Sequence, residues 1–224
     1  LTAKDTVAVT DKDGQVTQLK ARNIVVATGA SALVPAGWKV DGEKVVTYLE
    51  AIKQEKLPKS ALIIGAGAIG VEFATVWNSY GAEVTLVEML PRLVPLEDEE
   101  ISAELDKAFK KRGIQALAGH KVESVEAAGT TNGGVKVTVS AKGETKVLEA
   151  EQALVAIGFR PNSKGLGLEE VGVKISERGF IVIDEKMATN VPGIWAIGDV
   201  TGKLMLAHVG SAQGIVCAEN IAGH

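Results

Sequence analysis

Cysteine is nearly missing: Cys217 is the single one in 224 residues. It has no partner for an internal disulfide, and its surroundings, "GIVCAEN", read as a helix. A small buried hydrophobe is therefore expected there. Histidine is also sparse, at positions 120, 208 and 224. No cluster of His, Cys and carboxylate falls at ligand spacing, so no metal site is expected. Aromatic residues make up 4% and the formal net charge is -4. That balance lacks both the basic stripe and the stacking rings of a nucleic-acid surface. The longest apolar run, "ALIIGAGAIGV" at 61–71, ends at Glu72 and is too short for a bilayer. The first residues, "LTAKDTVAVT", lack the charged-then-apolar pattern of a signal peptide and have no initial Met. They enter a strand pattern at once, so the chain is expected to begin within something longer.

What is present is an apolar core. Hydrophobic residues are 46%, enough for one large domain or two small ones. "DTVAVT", the turn "DKDG" and "QVTQLK" read as a hairpin, because Asp-Gly supplies the positive φ of a tight turn. "NIVVATGA" reads as a buried strand ending on Gly29. Residues 31–58 are punctuated by Pro35, Gly37 and Pro58, with a short helix expected near 47–53.

From Ser60 the pattern is βαβ. "ALII" is a fully apolar strand of a covered parallel sheet. Ile69, Phe73, Val76, Trp77 and Tyr80 form the expected stripe of a helix that Gly81 ends. "EVTLVE" is the next strand. A helix over 98–112 follows, with Asp98 as N-cap, Ile101, Leu105 and Phe109 as its stripe, and Lys110–Arg112 at the negative end of its dipole. "IQALAG", "KVESVEAAG", "GVKVTVSAKG" and "ETKVLEA" read as an antiparallel meander. "QALVAIGFRPN" reads as a buried strand ending on Gly158 and stopped by Pro161. "GFIVIDEKMATNVPGIWAIGD" holds two further strands, and a helix closes the chain over 206–222. The order predicts an α/β, doubly wound nucleotide-binding fold with a meander inserted.

Three apolar strands, "VVATGA", "LVAIGF" and "WAIGDV", each end in a small residue, one further residue and Gly. A glycine there lets a flat ligand approach the backbone at the sheet's carboxyl edge. The third continues into Asp199, a carboxylate with no phosphate loop beside it. "IIGAGAIGVE" carries Gly65, Gly67 and Gly70 at G-x-G-x-x-G spacing, between a strand and a helix, with Glu88 ending the next strand. Gly65 permits the turn, Gly67 lets a pyrophosphate approach, and Gly70 lets helix and strand pack closely, with the phosphates on the helix N-terminus. Glu88 suits the ribose hydroxyls of NAD and repels a 2′-phosphate. Arg92 lies past a proline and could instead favour NADP. Glu72 is either a first-turn acid that complements the dipole or a carboxylate at the nicotinamide end.

"VVATGAS", "IIGAGAIGVE…VTLVE", "AIGFRPN" and "TNVPGIWAIGDVTGKLMLAH" together resemble the pyridine nucleotide–disulfide oxidoreductases, in the family's order and over nearly the whole chain. The resemblance implies an FAD/NAD(P)-binding Rossmann-like, three-layer fold. Residues 1–58 and 188–224 would belong to an FAD-binding domain, with an NAD-binding domain at 59–187 between them. It implies NAD contacts from Gly65, Ala66, Gly67, Ala68, Ile69, Gly70, Val71, Glu72, Glu88, Val122 and Gly158. FAD contacts are implied for Thr28, Gly29, Ala30, Asp199, Met205, Leu206, Ala207 and His208. Glu72 would lie by the nicotinamide, where the family pairs it with a lysine not found here. His208 would sit beside the flavin and would not be the family's acid–base histidine.

The family's first glycine fingerprint, its C-x4-C redox pair and its C-terminal dimerisation domain do not occur in these residues. The resemblance thus implies a central segment of a homodimeric flavoenzyme that takes a dithiol carried on acyl-transferase components, in a bacterial cytoplasm or organelle matrix. Other members, such as NADH oxidase, mercuric reductase or soluble transhydrogenase, stay open, because the redox region decides among them. A non-catalytic NAD-binding module is the alternative for the chain by itself.

Overall fold

A computed structural model describes residues 1–127 and 133–224. The turn expected after Ala127 lies outside the described residues. The fold is α/β, and the chain divides into two compact units, Ala32–Gly158 and a second built from Leu1–Ser31 with Phe159–His224.

The first unit is a three-layer sandwich. Its middle layer is a five-stranded sheet in the order Val45–Val46, Gln152–Val155, Ser60–Ile64, Glu83–Val87, Gln115–Leu117, with every neighbouring pair parallel. Strand side chains alternate between faces, and the alternation sorts the core. Ala61, Ile63, Val84, Leu86, Leu154 and Val46 face the helices, where Trp77 and Phe109 are buried with them. Leu62, Ile64, Val87, Ala153, Val155 and Val45 face a second sheet through Val125, Val135, Val137 and Val139. That second sheet is the expected antiparallel meander, in the order Glu144–Ala150, Val135–Ala141, Lys121–Ala127. Burying Phe109 at 2% exposure stabilises the helix side by roughly 1.5–3 kcal/mol.

Two helices make the outer layer. Ala68–Ser79 has Gly67 as N-cap, and Glu99–Lys111 has Asp98, whose Oδ1 accepts from the Glu100 and Ile101 N–H groups. The second helix returns the chain to Gln115–Leu117, which is the last parallel strand and not the first of the meander. Ile114, just before this strand, is buried in the same cluster as Leu86 and Phe109. The buried faces of both helices also differ from expectation. Gly70, Ala74 and Trp77 are buried in the first, whereas Val76 and Tyr80 are exposed. Gly70 and Ala74 bring this helix close to the sheet, Trp77 of the expected stripe is buried with them, and Val76 and Tyr80 are left outside. In the second helix Ser102 and Phe109 are buried and Ile101 is exposed. Within 31–58, Val45–Val46 forms the sheet's edge strand, and Tyr48–Ala51 is a single helical turn capped by Thr47 and Glu50.

In the second unit the hairpin pairs Thr6–Thr10 with Val16–Lys20, and Asp11 Oδ1 accepts from the Asp13 and Gln15 N–H groups across the loop. Ile24–Val26 pairs in parallel with Ile194–Ala196. The strand expected through Gly29 therefore stops at Val26, with only Val26 buried. The strand expected to end on Gly158 stops at Val155, and after residues 156–158, with Gly158 at φ 121, a further short strand, Phe159–Pro161, forms where only a stop was expected. Of the two strands expected in 179–199 one forms; the other is an isolated bridge between Ile175 and Ile181. Ala207–Ala222 is the closing helix. Val26, Leu168, Val173, Ile181, Ile194, Ala196 and Val200 form this unit's core.

These limits differ from the boundaries expected at 58/59 and 187/188. Val45–Val46 is hydrogen-bonded into the parallel sheet, and Leu168 to Ile183 pack with Val26 and Ile194.

Candidate functional site

The glycine turn closes the carboxyl edge of the parallel sheet. The Gly65 N–H donates to Val87 O and the Ala156 N–H to Ile64 O, so three neighbouring strands end together. Gly65 has φ 102, and a Cβ there would stand 2.3 Å from Ala156 O. A Cβ on Gly70 would stand 1.9 Å from Gly65 O. These two glycines are demanded by packing within the protein. Gly67 differs: it has an ordinary φ of -73, and a Cβ on it would meet nothing within 4 Å. Space lies open before it.

Gly67 also provides no side-chain cap, and the first turn of Ala68–Ser79 holds no acidic residue. The first N–H groups of this helix thus have no intrahelical acceptor, and the positive end of its dipole is uncompensated. That arrangement suits an anion.

Glu88 is joined to this turn. It is 8% exposed. Its Oε2 accepts from the Ala66 N–H at 2.7 Å and its Oε1 from the Leu90 N–H at 2.8 Å. Each carboxylate oxygen keeps a second lone pair. The sequence pointed to Glu88 as a ligand residue and missed that it also holds the turn's backbone. The Gly119 N–H donates to Leu90 O and the His120 N–H to Glu88 O, which brings the start of Lys121–Ala127, and with it half-buried Val122, beside Glu88. Gly158 is exposed just past the strand end that Gly65 touches. Glu72 is exposed on the helix, five residues past Gly67. Arg92 is engaged locally: it pairs with Glu99, and its Nη2 donates to Pro95 O and Glu97 O, each at 3.2 Å.

The second unit gathers the remaining candidates. Ile24–Val26 and Ile194–Ala196 are parallel, so Thr28–Ala30 and Gly198–Asp199 leave the same edge. Asn162, which sequence reasoning did not single out as a site residue, ties the first exit. Its N–H donates to Gly29 O at 3.0 Å and its Nδ2 to Thr28 O at 3.0 Å, while its own O accepts from Thr28 Oγ1 at 2.7 Å. Its place in "FRPN", after a strand end, was the available signal. Asp199 lies in a 3-10 turn, Gly198–Thr201. Among the described residues no hydrogen bond is recorded to its carboxylate. Gln213, also missed, is 8% exposed and accepts from the Gly198 N–H at 2.7 Å. The helix Ala207–Ala222 begins without a side-chain cap or first-turn acid, and a Cβ on Gly210 would lie 3.6 Å from Gly198 Cα. Met205, Leu206, Ala207 and His208 are exposed at its start. Cys217 is buried in this helix, and burial pushes its thiol pKa up.

A parallel sheet whose carboxyl edge carries this glycine turn defines an α/β protein of the FAD/NAD(P)-binding, Rossmann-like class. Residues 1–214 match the family described as pyridine nucleotide-disulphide oxidoreductase, and the chain belongs to it. It is 47% identical over 219 residues to a dihydrolipoyl dehydrogenase of Mycobacterium bovis, a match spanning 98% of this chain and 46% of that protein. It is 46% identical over 221 residues to the dihydrolipoyl dehydrogenase of Corynebacterium glutamicum, across 97% of this chain and 46% of that one. The chain thus spans about half the length of the curated relatives it matches. Among solved structures, LpdA of Mycobacterium tuberculosis superposes with a TM-score of 0.87 at 32% identity, over 97% of this chain and 46% of that one. A Cu(II) complex of the HOCl-induced flavoprotein disulfide reductase RclA of Escherichia coli gives 0.86 at 26%, over 99% and 48%.

Proposed function

We propose that the chain is the NAD-binding and partial FAD-binding segment of a flavin-dependent disulfide oxidoreductase of the dihydrolipoyl dehydrogenase kind. The reaction is the oxidation of dihydrolipoamide to lipoamide with reduction of NAD+. The carrying observation is the open space before Gly67, facing an uncapped helix N-terminus, with Glu88 bonded to the same turn. The N–H groups that open Ala68–Ser79 hold the pyrophosphate of NAD, and the spare lone pairs of Glu88 accept from the adjoining ribose. Val122 lines the adenosine side, and Gly158 and Glu72 the nicotinamide side. Arg92 is occupied by Glu99 and two carbonyls, which supports NAD over NADP.

In the second unit Thr28–Ala30, Asp199 and Met205–His208 contribute to the FAD site. The carboxylate of Asp199, which accepts no hydrogen bond among the described residues, accepts from flavin hydroxyls, and the uncapped start of Ala207–Ala222 offers N–H donors. When bound, FAD and NAD supply the hydride chemistry, and the residues here fix their positions. Dithiol exchange needs a thiolate attacking a disulfide, and a lone buried Cys217 does not provide that pair. The chain by itself is therefore catalytically silent. The complete enzyme is a homodimer serving dihydrolipoamide-bearing acyl-transferase components, in a reducing compartment such as a bacterial cytoplasm or an organelle matrix.

Calorimetry with NAD, NADH and NADPH tests the first unit, and gel filtration after adding FAD tests the second. NADH binds, NADPH binds more weakly, and flavin absorbance and diaphorase turnover are lost with the small molecules. No heat with NADH on folded protein removes the NAD assignment. Stoichiometric yellow colour after filtration overturns the partial-site reading.

A further inference from the structure

Val94 is β-branched, yet its φ is 39, in the left-handed region that disfavours side chains and branched ones most. Such a conformation persists only where its surroundings hold it. Two bonds on one peptide plane do so here. The buried Ser102, on the helix Glu99–Lys111, donates from its hydroxyl to Leu93 O at 2.5 Å. The Val94 N–H donates to Ala66 O at 2.8 Å. The Leu93–Val94 peptide is trans, so its C=O and N–H point in opposite directions and the two bonds clamp it at both ends.

The arrangement repeats one step on. Ala66 O shares its peptide with the Gly67 N–H, for which no acceptor is recorded among the described residues. With Ala66 O turned to Val94, the Gly67 N–H points away from the 88–94 segment. The Ala66 N–H meanwhile holds Glu88 Oε2. Ser102, the Leu93–Val94 peptide and the Ala66–Gly67 peptide thus form one row, each donor directed at the next acceptor. Hydrogen bonds in such a row polarise one another.

We propose that Ser102 is a positioning residue for the dinucleotide. Through this row it fixes the plane of the Ala66–Gly67 peptide and so aims the Gly67 N–H at the pyrophosphate, an assignment that rests on the nucleotide reading above. Without the hydroxyl the Leu93–Val94 plane turns over, which carries φ of Val94 from 39 to about -140, a value that suits a branched residue. The Val94 N–H then leaves Ala66 O, and the Ala66–Gly67 peptide loses its setting.

The test is calorimetry with NADH on the 224-residue chain, with Ser102→Ala made alone and on top of Val94→Gly. Ser102→Ala alone weakens NADH binding about tenfold. Glycine adopts positive φ without steric cost, so nothing drives the plane over in the Val94→Gly background, and there the same change weakens binding less than about twofold. A hydroxyl that only stabilised its helix would cost the same in both backgrounds. Amide exchange followed by NMR is the second readout. Ser102→Ala speeds exchange at Val94 at least about tenfold more than at the amides of Ser60–Ile64, whereas general loosening speeds both together. If Ser102→Ala does not fold, Ser102→Cys, a weaker donor in the same place, carries the same comparisons. Unchanged NADH affinity, an equal loss in both backgrounds, or no selective exchange at Val94 overturns the proposal. Absence of NADH binding by the unsubstituted chain removes the nucleotide reading instead, and exchange at Val94 still shows whether Ser102 holds the plane.

Discussion

Replacing Gly67 and Gly70 separately by alanine distinguishes a glycine kept for a ligand from one kept for packing. In Gly70→Ala the new Cβ would lie 1.9 Å from Gly65 O, and that oxygen is backbone. Helix and turn must separate by about 1.1 Å to restore a 3.0 Å approach, which breaks the contact of Gly70 and Ala74 with the sheet. Overpacking of this kind costs about 1–3 kcal/mol, and an obstacle that is backbone places this site at the upper end. Gly67→Ala meets nothing within 4 Å and needs no unusual φ. Its cost is the weaker N-cap propensity of alanine, under about 1 kcal/mol. At about 2–4 °C per kcal/mol for a chain of this size, melting falls by about 6–12 °C in Gly70→Ala and by less than about 4 °C in Gly67→Ala. Binding runs differently. The Gly67 methyl fills the space a pyrophosphate enters, and NADH affinity drops at least about tenfold, 1.4 kcal/mol, in the well-folded variant. Differential scanning fluorimetry and calorimetry on the same samples give both numbers. A Gly67→Ala protein that binds NADH as wild type does, or a Gly70→Ala protein that melts with wild type, refutes the reasoning.

Other substitutions probe the remaining groups. Glu88→Ala strands the Ala66 N–H in the interior and lowers stability by about 1–3 kcal/mol, besides weakening NADH binding; urea melts that match wild type would contradict the bonds described. Partial burial tends to raise the Asp41 pKa, but the N–H groups of Val45, Glu43 and Lys44 together outweigh it and hold the carboxyl below its ordinary 3.8. A depressed folded value stabilises above the unfolded pKa and is lost as pH falls through the folded one. The melting gap between wild type and Asp41→Asn is therefore full at neutral pH and narrows as pH falls below the ordinary carboxylate range, as thermal scans across pH will record. Burial raises the Cys217 thiol and shields it. Ellman's reagent reacts with it only after unfolding, and stoichiometric labelling of the native chain would be the contrary result. Asn162→Ala releases the Thr28–Gly29 turn by removing its side-chain bonds, lowering melting temperature by about 2–8 °C at about 1–2 kcal/mol.

Much of the first unit was legible because its signals are local. Apolar four-residue strands, the helix cap at Asp98, and glycines at fixed spacing need no knowledge of distant chain. Gln115–Leu117 was not legible, since a three-residue strand looks alike in a meander or at a parallel edge, and only the preceding crossover helix decides. The helical stripe through Val76 and Tyr80 misled because large apolar residues outweigh glycine and alanine in any periodicity count, yet Gly70 and Ala74 make the closest packing. Glu88 was singled out by position, but its bonds to Ala66 and Leu90 depend on backbone geometry that spacing does not carry. Asn162 and Gln213 escaped for the same reason: each serves a turn more than ten residues away.

The discontinuity of the second unit bears on how the chain matures. Ala32–Gly158 is contiguous and can fold as soon as it leaves the ribosome. Ile24–Val26, made earlier, must wait for Ile194–Ala196 before it gains its parallel partner. During that interval the edge N–H and C=O groups of Ile24–Val26 lack the partner that Ile194–Ala196 later supplies, and such an edge is a template for pairing with another chain.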